Sequence, residues 1–201
     1  MSVSDIETLV SELRKRYIKA FSNHFEQADG KPFYRTDLIM FGVMDRNIGL
    51  LEAMPPLFQD KNVHALAPLI RVQLDGLLRL FAFALVEDQD KLAAHLLEGK
   101  HLRNFRSVSG EKLTDRFLKE AMAPNFPWVP RVYDNLSGWI HLSFEHIRMA
   151  TVIDDEKSQI TVGIGSYRQH LPDSLFEEMV AAIEEIHKQT ISLIESYFGS
   201  K

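Results

Sequence analysis

One helix in this chain carries a line of charge through an otherwise apolar surface. The segment Arg71-Val-Gln-Leu-Asp75-Gly-Leu-Leu-Arg79 is surrounded by Leu66, Leu69, Ile70, Leu77, Leu78, Leu80, Phe81, Phe83 and Leu85. At about 3.6 residues per turn, Arg71, Asp75 and Arg79 share one face, each a turn from the next. A helix apolar on nearly every side must be covered on nearly every side. Ions inside such a cover are costly unless paired or used. The chain must therefore wrap this helix with others and bring polar groups to its charged line. Two roles suit the line: an anion pocket, in which Asp75 holds the Arg forks in place, or an ion network that sets helix register.

The remaining pattern supplies the wrapping helices. Apolar residues at helical spacing predict helices over 3–27, 34–53, 61–86, 89–98, 111–122, 130–149 and 172–198. Ala28-Asp-Gly-Lys-Pro32, Met54-Pro55-Pro56, Gly99 and Ser109-Gly110 mark stops and starts between them. The loop Ala123-Pro-Asn-Phe-Pro-Trp-Val-Pro130 leads into the 130–149 helix, and its Phe126 and Trp128 read as a packing lid. Thr151-Val-Ile and Ile160-Thr-Val-Gly-Ile, flanking Asp154–Ser158, read as strands of a lone β-hairpin that must lean on the body or on a partner. The expected fold is all-α: these seven stretches, two of them short, make an antiparallel bundle of about six helices in one domain, 1–201, with a hairpin arm over 150–166 before the C-terminal helix.

Composition limits the function classes. With 45% hydrophobic residues the chain can build a core, and its net charge of −5 argues against binding nucleic acid through a broad basic field. Lys100-His-Leu-Arg-Asn-Phe-Arg106 is the best local cluster for RNA contact, and it also suits a solvated connector. There is no cysteine, so disulfides and thiolate metal sites are excluded. The N-terminus lacks signal-peptide character, and no apolar run is long enough to span a bilayer, so the expected location is cytoplasmic with no membrane partner. Glycine loops of nucleotide- or dinucleotide-binding type are missing, and no cofactor is expected. Glu98-x-x-His101 and Glu184-x-x-His187 have the spacing used by dimetal bundles. The first pair straddles Gly99, the second sits in a charged, surface-like run, and no metal site is expected from either.

A second polar constellation lies in the 130–149 helix, where Ser137, His141 and Glu145 follow one another at four-residue spacing, with Tyr133 and Asp134 a turn earlier. Ser137 and His141 are candidate catalytic residues, His141 as acid–base. Arg71, Asp75, Arg79 and Tyr133 are candidate ligand-binding residues. A nucleophilic triad does not suit a mid-helix serine, which lacks the strained turn and oxyanion donors of acyl transfer. Gly138 inside the helix points to a close neighbour or ligand.

Together, Arg71, Asp75 and Arg79 followed by Tyr133, Leu136, Ser137, His141 and Ser143 resemble a signature of uncharacterised bacterial all-helical families of unknown function. The resemblance covers residues 34–149. A looser likeness is to the HEPN superfamily, helical bundles of prokaryotic defence and toxin systems, many of them ribonucleases in which Arg is followed by four to six residues and then His. At the corresponding positions before His141 this chain has Leu136, Asn135 and Asp134. The polar cluster points to a small anionic ligand or effector, and the likenesses, which carry no settled activity, imply a helical bundle in a possible defence setting. The alternatives are an RNA- or nucleotide-processing enzyme and a non-catalytic interaction module. A homo-oligomer, a dimer formed through the hairpin and terminal helix, completes the expectation.

Overall fold

The computed structural model describes residues 3–27, 32–141, 143–154, 158–165 and 171–199. It is an all-α bundle with a small β-hairpin before the C-terminal helix. Helix α1 (Val3–Gln27) buries Ile6, Val10, Leu13, Tyr17 and Ala20, one stripe at three- and four-residue spacing. Helix α2 (Arg35–Glu52) is started by Asp37, whose carboxylate accepts the Tyr34 N–H at 2.8 Å. Pro55 and Pro56 do end α2, and they also open a short helix, α3 (Met54–Gln59). A proline ring is pre-set for the first helical turn, where its missing N–H costs nothing.

Helix α4 (Val63–Phe81) is the axis, and α3, α6, α7 and α9 all pack on it. Leu66, Ala67, Ile70, Leu74, Leu77 and Leu78 are fully buried along its length. It is shorter than the predicted 61–86, because its last turn tightens into a 3₁₀ turn at Ala82–Leu85. Helices α5 (Gln89–Leu97) and α6 (Asp115–Met122) are capped by the side chains of Asp88 and Thr114.

The predicted helix over 130–149 is two helices, α7 (Trp128–Ile140) and α8 (Phe144–Ala150). His141 is extended, at φ −103° and ψ 150°. The Ser143 hydroxyl donates to the Gly138 carbonyl at 2.6 Å, so it satisfies an α7 carbonyl left open by the break. Ser137, His141 and Glu145 therefore do not line one face of a continuous helix. Strands β1 (Thr151–Asp154) and β2 (Gln159–Val162) pair antiparallel, with Thr151 opposite Val162 and Ile153 opposite Ile160. The Gly163 N–H reaches the Ala150 carbonyl at 3.0 Å and ties the hairpin to α8.

Helix α9 (Asp173–Gly199) closes the bundle against α1 and α4. Its run Glu184-Glu-Ile-His-Lys reads as surface in the sequence, but His187 is fully buried on the same stripe as Ile183, Thr190, Ile191 and Ile194. The Tyr17 hydroxyl lies 2.7 Å from His187 Nδ1 and accepts from Asn47 Nδ2 at 3.0 Å, joining α1, α2 and α9 through one buried polar knot. Further along, the Tyr197 hydroxyl donates to buried Asp37 at 3.0 Å, a second tie between α9 and α2.

Burial pushes the His187 pKa down to about 3, whereas an unfolded His titrates near 6.5. The folded pKa is the lower one, so stability is full above about pH 6.5 and falls as the unfolded chain takes up a proton that the fold refuses. Denaturant unfolding should show stability declining below about pH 6.5 at up to about 1.4 kcal/mol per pH unit from this group. His187→Gln should flatten that slope; an unchanged slope would contradict the assignment.

Candidate functional site

The seam between α4 and α7 gathers four of the sequence-selected residues. Arg71 is only 5% exposed, and its Nη1 is ion-paired with Asp75 one turn on. Its guanidinium carbon lies 3.4 Å from the centre of the Tyr133 ring, a cation–π contact in a largely dry setting. Arg71 Nε points to Ser137 Oγ at 3.5 Å. The Ser137 hydroxyl in turn donates to the Tyr133 carbonyl of its own helix at 2.7 Å. From α6, Lys119 Nζ sits 5.1 Å from the centre of the same Tyr133 ring and donates to Asp134 at 2.7 Å. Desolvation is the largest influence on the Tyr133 hydroxyl and raises its pKa.

Asp75, Tyr133 and Ser137 thus all engage Arg71. An anion entering here would have to displace Asp75 or Tyr133. The Ser137 hydroxyl donates its proton to a backbone carbonyl, and among the described residues no side-chain base is hydrogen-bonded to it.

The other two selected residues stand apart. Arg79 is exposed. It acts on Arg46 of α2, whose pKa is lowered first by burial and then by the Arg79 charge, with Asp75 opposing. Arg46 Nη2 donates to the Val72 carbonyl at 3.3 Å, and Nη1 would lie 3.6 Å from a Cβ placed on Gly76. Arg46 is thus a second guanidinium lying against α4 at Gly76, at ordinary contact distance. His141, beyond the end of α7, is exposed and makes no hydrogen bond with Ser137 among the described residues. The Glu145 side chain lies outside the described residues. The basic segment is partly used locally, with Lys100 on Glu98 and Arg106 on the Gly110 carbonyl. Glu98 caps α5, and His101 follows Gly99 at φ +74°, so that pair does not share a helix. Among the described residues no three His, Asp or Glu side chains converge on a metal-sized point.

A large opening lies on the other side of α7. Helices α7 and α9 both rest on α4 but make little contact with each other. Between them runs a groove of about 430 Å³. Its floor is Ile70, Leu136 and Met179, and Trp128, Val132, Trp139 and Leu175 form its walls. Ala181 and Ala182 are too small to fill the gap, and Arg131, Glu178 and Glu185 stand at the rim. Trp128 Nε1 is itself buried away from solvent, without an acceptor among the described residues. Trp128 lies in the first turn of α7, not in a loop, and the chain's two tryptophans both line this groove. The apolar spacing of Trp128, Val132 and Leu136 against Leu175, Met179 and Ala182 is visible in the sequence. It is indistinguishable there from two stripes packed on each other.

Arg71→Ala should destabilise the fold by about 3–5 kcal/mol, since it leaves Asp75 unpaired beside a desolvated ring. Arg71→Ala and Asp75→Ala should be strongly non-additive in a double-mutant cycle measured by chemical denaturation. Independent, additive losses would show that the pair is not the tie described. No family model, curated protein or solved structure matches the chain.

Proposed function

We propose that this chain is a non-catalytic binding protein for a small, largely apolar ligand, which it takes into the groove between α4, α7 and α9. The groove itself carries the reading: a volume of about 430 Å³ falls within the range of small-molecule sites, with an apolar floor, two indole walls and a few polar groups at the rim. Glu178 and Glu185 against the single Arg131 favour a neutral or cationic ligand over an anion at this place. The Arg71 cluster stands behind α7 as the support that fixes one wall.

Because both tryptophans line the groove, intrinsic fluorescence reports on its occupancy. The neutral dye Nile red should bind the native protein, quench tryptophan emission and raise the melting temperature. Ala182→Phe, which plugs the gap, should abolish the response while the fold persists by circular dichroism. His141→Ala should leave it unchanged. Dye binding that survives Ala182→Phe would remove the groove from consideration. Turnover of RNA or a nucleotide that is lost in His141→Ala would favour a HEPN-like enzyme instead.

A second reading, the anion site expected from the charged stripe, is supported by the proximity of Arg46 and Arg79. Two guanidiniums that oppose each other's charge gain when a phosphate bridges them. Inorganic phosphate should then raise the melting temperature, and Arg79→Ala should cancel that gain.

A further inference from the structure

The groove between α7 and α9 has a direction and a length, and both restrict what can lie in it. Trp139, near the end of α7, meets His64 in the first turns of α4 at 5.7 Å, whereas Tyr133, earlier on α7, lies over Arg71, two turns further along α4. Helix α7 therefore runs antiparallel to α4. Asp173 at the start of α9 pairs with Lys61 just before α4 at 2.9 Å, and Met179 shares the groove floor with Ile70, so α9 runs in the direction of α4. Trp139 and Leu175 thus stand at one end of the groove, and Trp128 and Glu185 at the other. From Trp128 to Trp139, or from Leu175 to Glu185, a helix rising about 1.5 Å per residue advances about 15–16 Å. A volume of about 430 Å³ spread over that length gives a channel about 6 Å across on average. A helix with its side chains is about 10–12 Å across and does not fit. A single hydrocarbon chain, whose carbons pack about 4 Å from their neighbours, does.

We propose that, given the groove as the ligand site, its occupant is an unbranched aliphatic chain of about twelve carbons with a small neutral polar head, a long-chain alcohol or primary amide. Bonds of about 1.5 Å at tetrahedral angles advance an extended chain by about 1.25 Å per carbon, so about twelve carbons fill the groove from end to end. Between the ends the lining is aliphatic: Ile70, Val132, Leu136 and Met179 offer apolar surface, and Ala181 and Ala182 leave the space that methylenes would take.

The two ends differ in polarity and orient the chain. Trp139 and Leu175 are apolar and suit the methyl terminus. At the other end Arg131 donates and Glu185 accepts, which a hydroxyl or an amide can answer with both of its functions. A charged head is served poorly there. Glu185 is already held by the Gln189 amide at 2.6 Å and by Lys188 at 3.6 Å, and Arg131 opposes a cation. A carboxylate would bring its charge beside Glu185, with Glu178 two turns away on the same face of α9.

The test is displacement of Nile red by a series of 1-alkanols, from 1-hexanol to 1-tetradecanol, each kept below its solubility limit. Affinity should rise about fourfold per added methylene and level off at about twelve carbons, where the groove is full. Leu175→Trp, which fills the Trp139 end, should move that plateau to chains about two to four carbons shorter, with helicity retained by circular dichroism. Dodecanoate and dodecylammonium should each compete more weakly than 1-dodecanol. Dye binding that is lost in Ala182→Phe, but whose displacement shows no plateau in chain length, would overturn the chain and leave the groove standing. A plateau unmoved in folded Leu175→Trp would overturn the placement of the methyl end, and a charged head that outcompetes the alcohol would overturn the neutral head. Binding of neither Nile red nor any alkanol would remove the groove as a ligand site, and the chain with it.

Discussion

The contact of Arg71 with Asp75 and Tyr133 decides where α7 goes, and much of the molecule depends on where α7 goes. A guanidinium that is 5% exposed in the wall of the central helix needs both a counter-charge and a surface to lie on. Asp75 supplies the first from the same helix, and Tyr133 brings the second from α7. With α7 held by its Tyr133 and Ser137 side, its Trp128, Val132, Leu136 and Trp139 side is turned toward α9. The seam on one side of α7 and the groove on the other are therefore consequences of one docking.

Polar groups inside this bundle act mainly as ties between helices. Tyr17, Asn47 and His187 join α1, α2 and α9, and Asp37 with Tyr197 joins α2 to α9 a few turns away. Hydrophobic burial is non-directional and allows helices to slide and rotate. A buried hydroxyl or imidazole tolerates few alternatives, because losing its partner carries the cost of desolvation. The apolar stripes hold the helices together, and these few polar contacts restrict their register. The remaining volume, where α7 and α9 part over Ala181 and Ala182, is free for function.

Much of the helix pattern was legible in the residues. Helix α1 occupies the predicted 3–27, and α2, α5 and α9 start and stop within a residue or two of expectation, because periodicity and stop signals agree there. The break between α7 and α8 was not legible. The apolar period runs on through His141, and only the Ser143 hydroxyl, folded back on Gly138, shows where the helix stops. Nor was the burial of His187 legible, since two glutamates and a lysine around it mimic a solvated face.

The sequence by itself determined that this is a helical protein, that α4 lies at its centre, and that Arg71, Asp75, Tyr133 and Ser137 belong to one story, because helical period and the cost of buried charge are local properties that any fold must respect. Only the tertiary structure decided what those residues do. It engaged Arg71 with its neighbours, left Arg79 and His141 outside, and opened a groove behind Tyr133 in place of a pocket before it. The reason is geometric. Which stripe meets which depends on how three helices share the surface of a fourth, and that arrangement is a property of the whole packed chain, not of any segment of it.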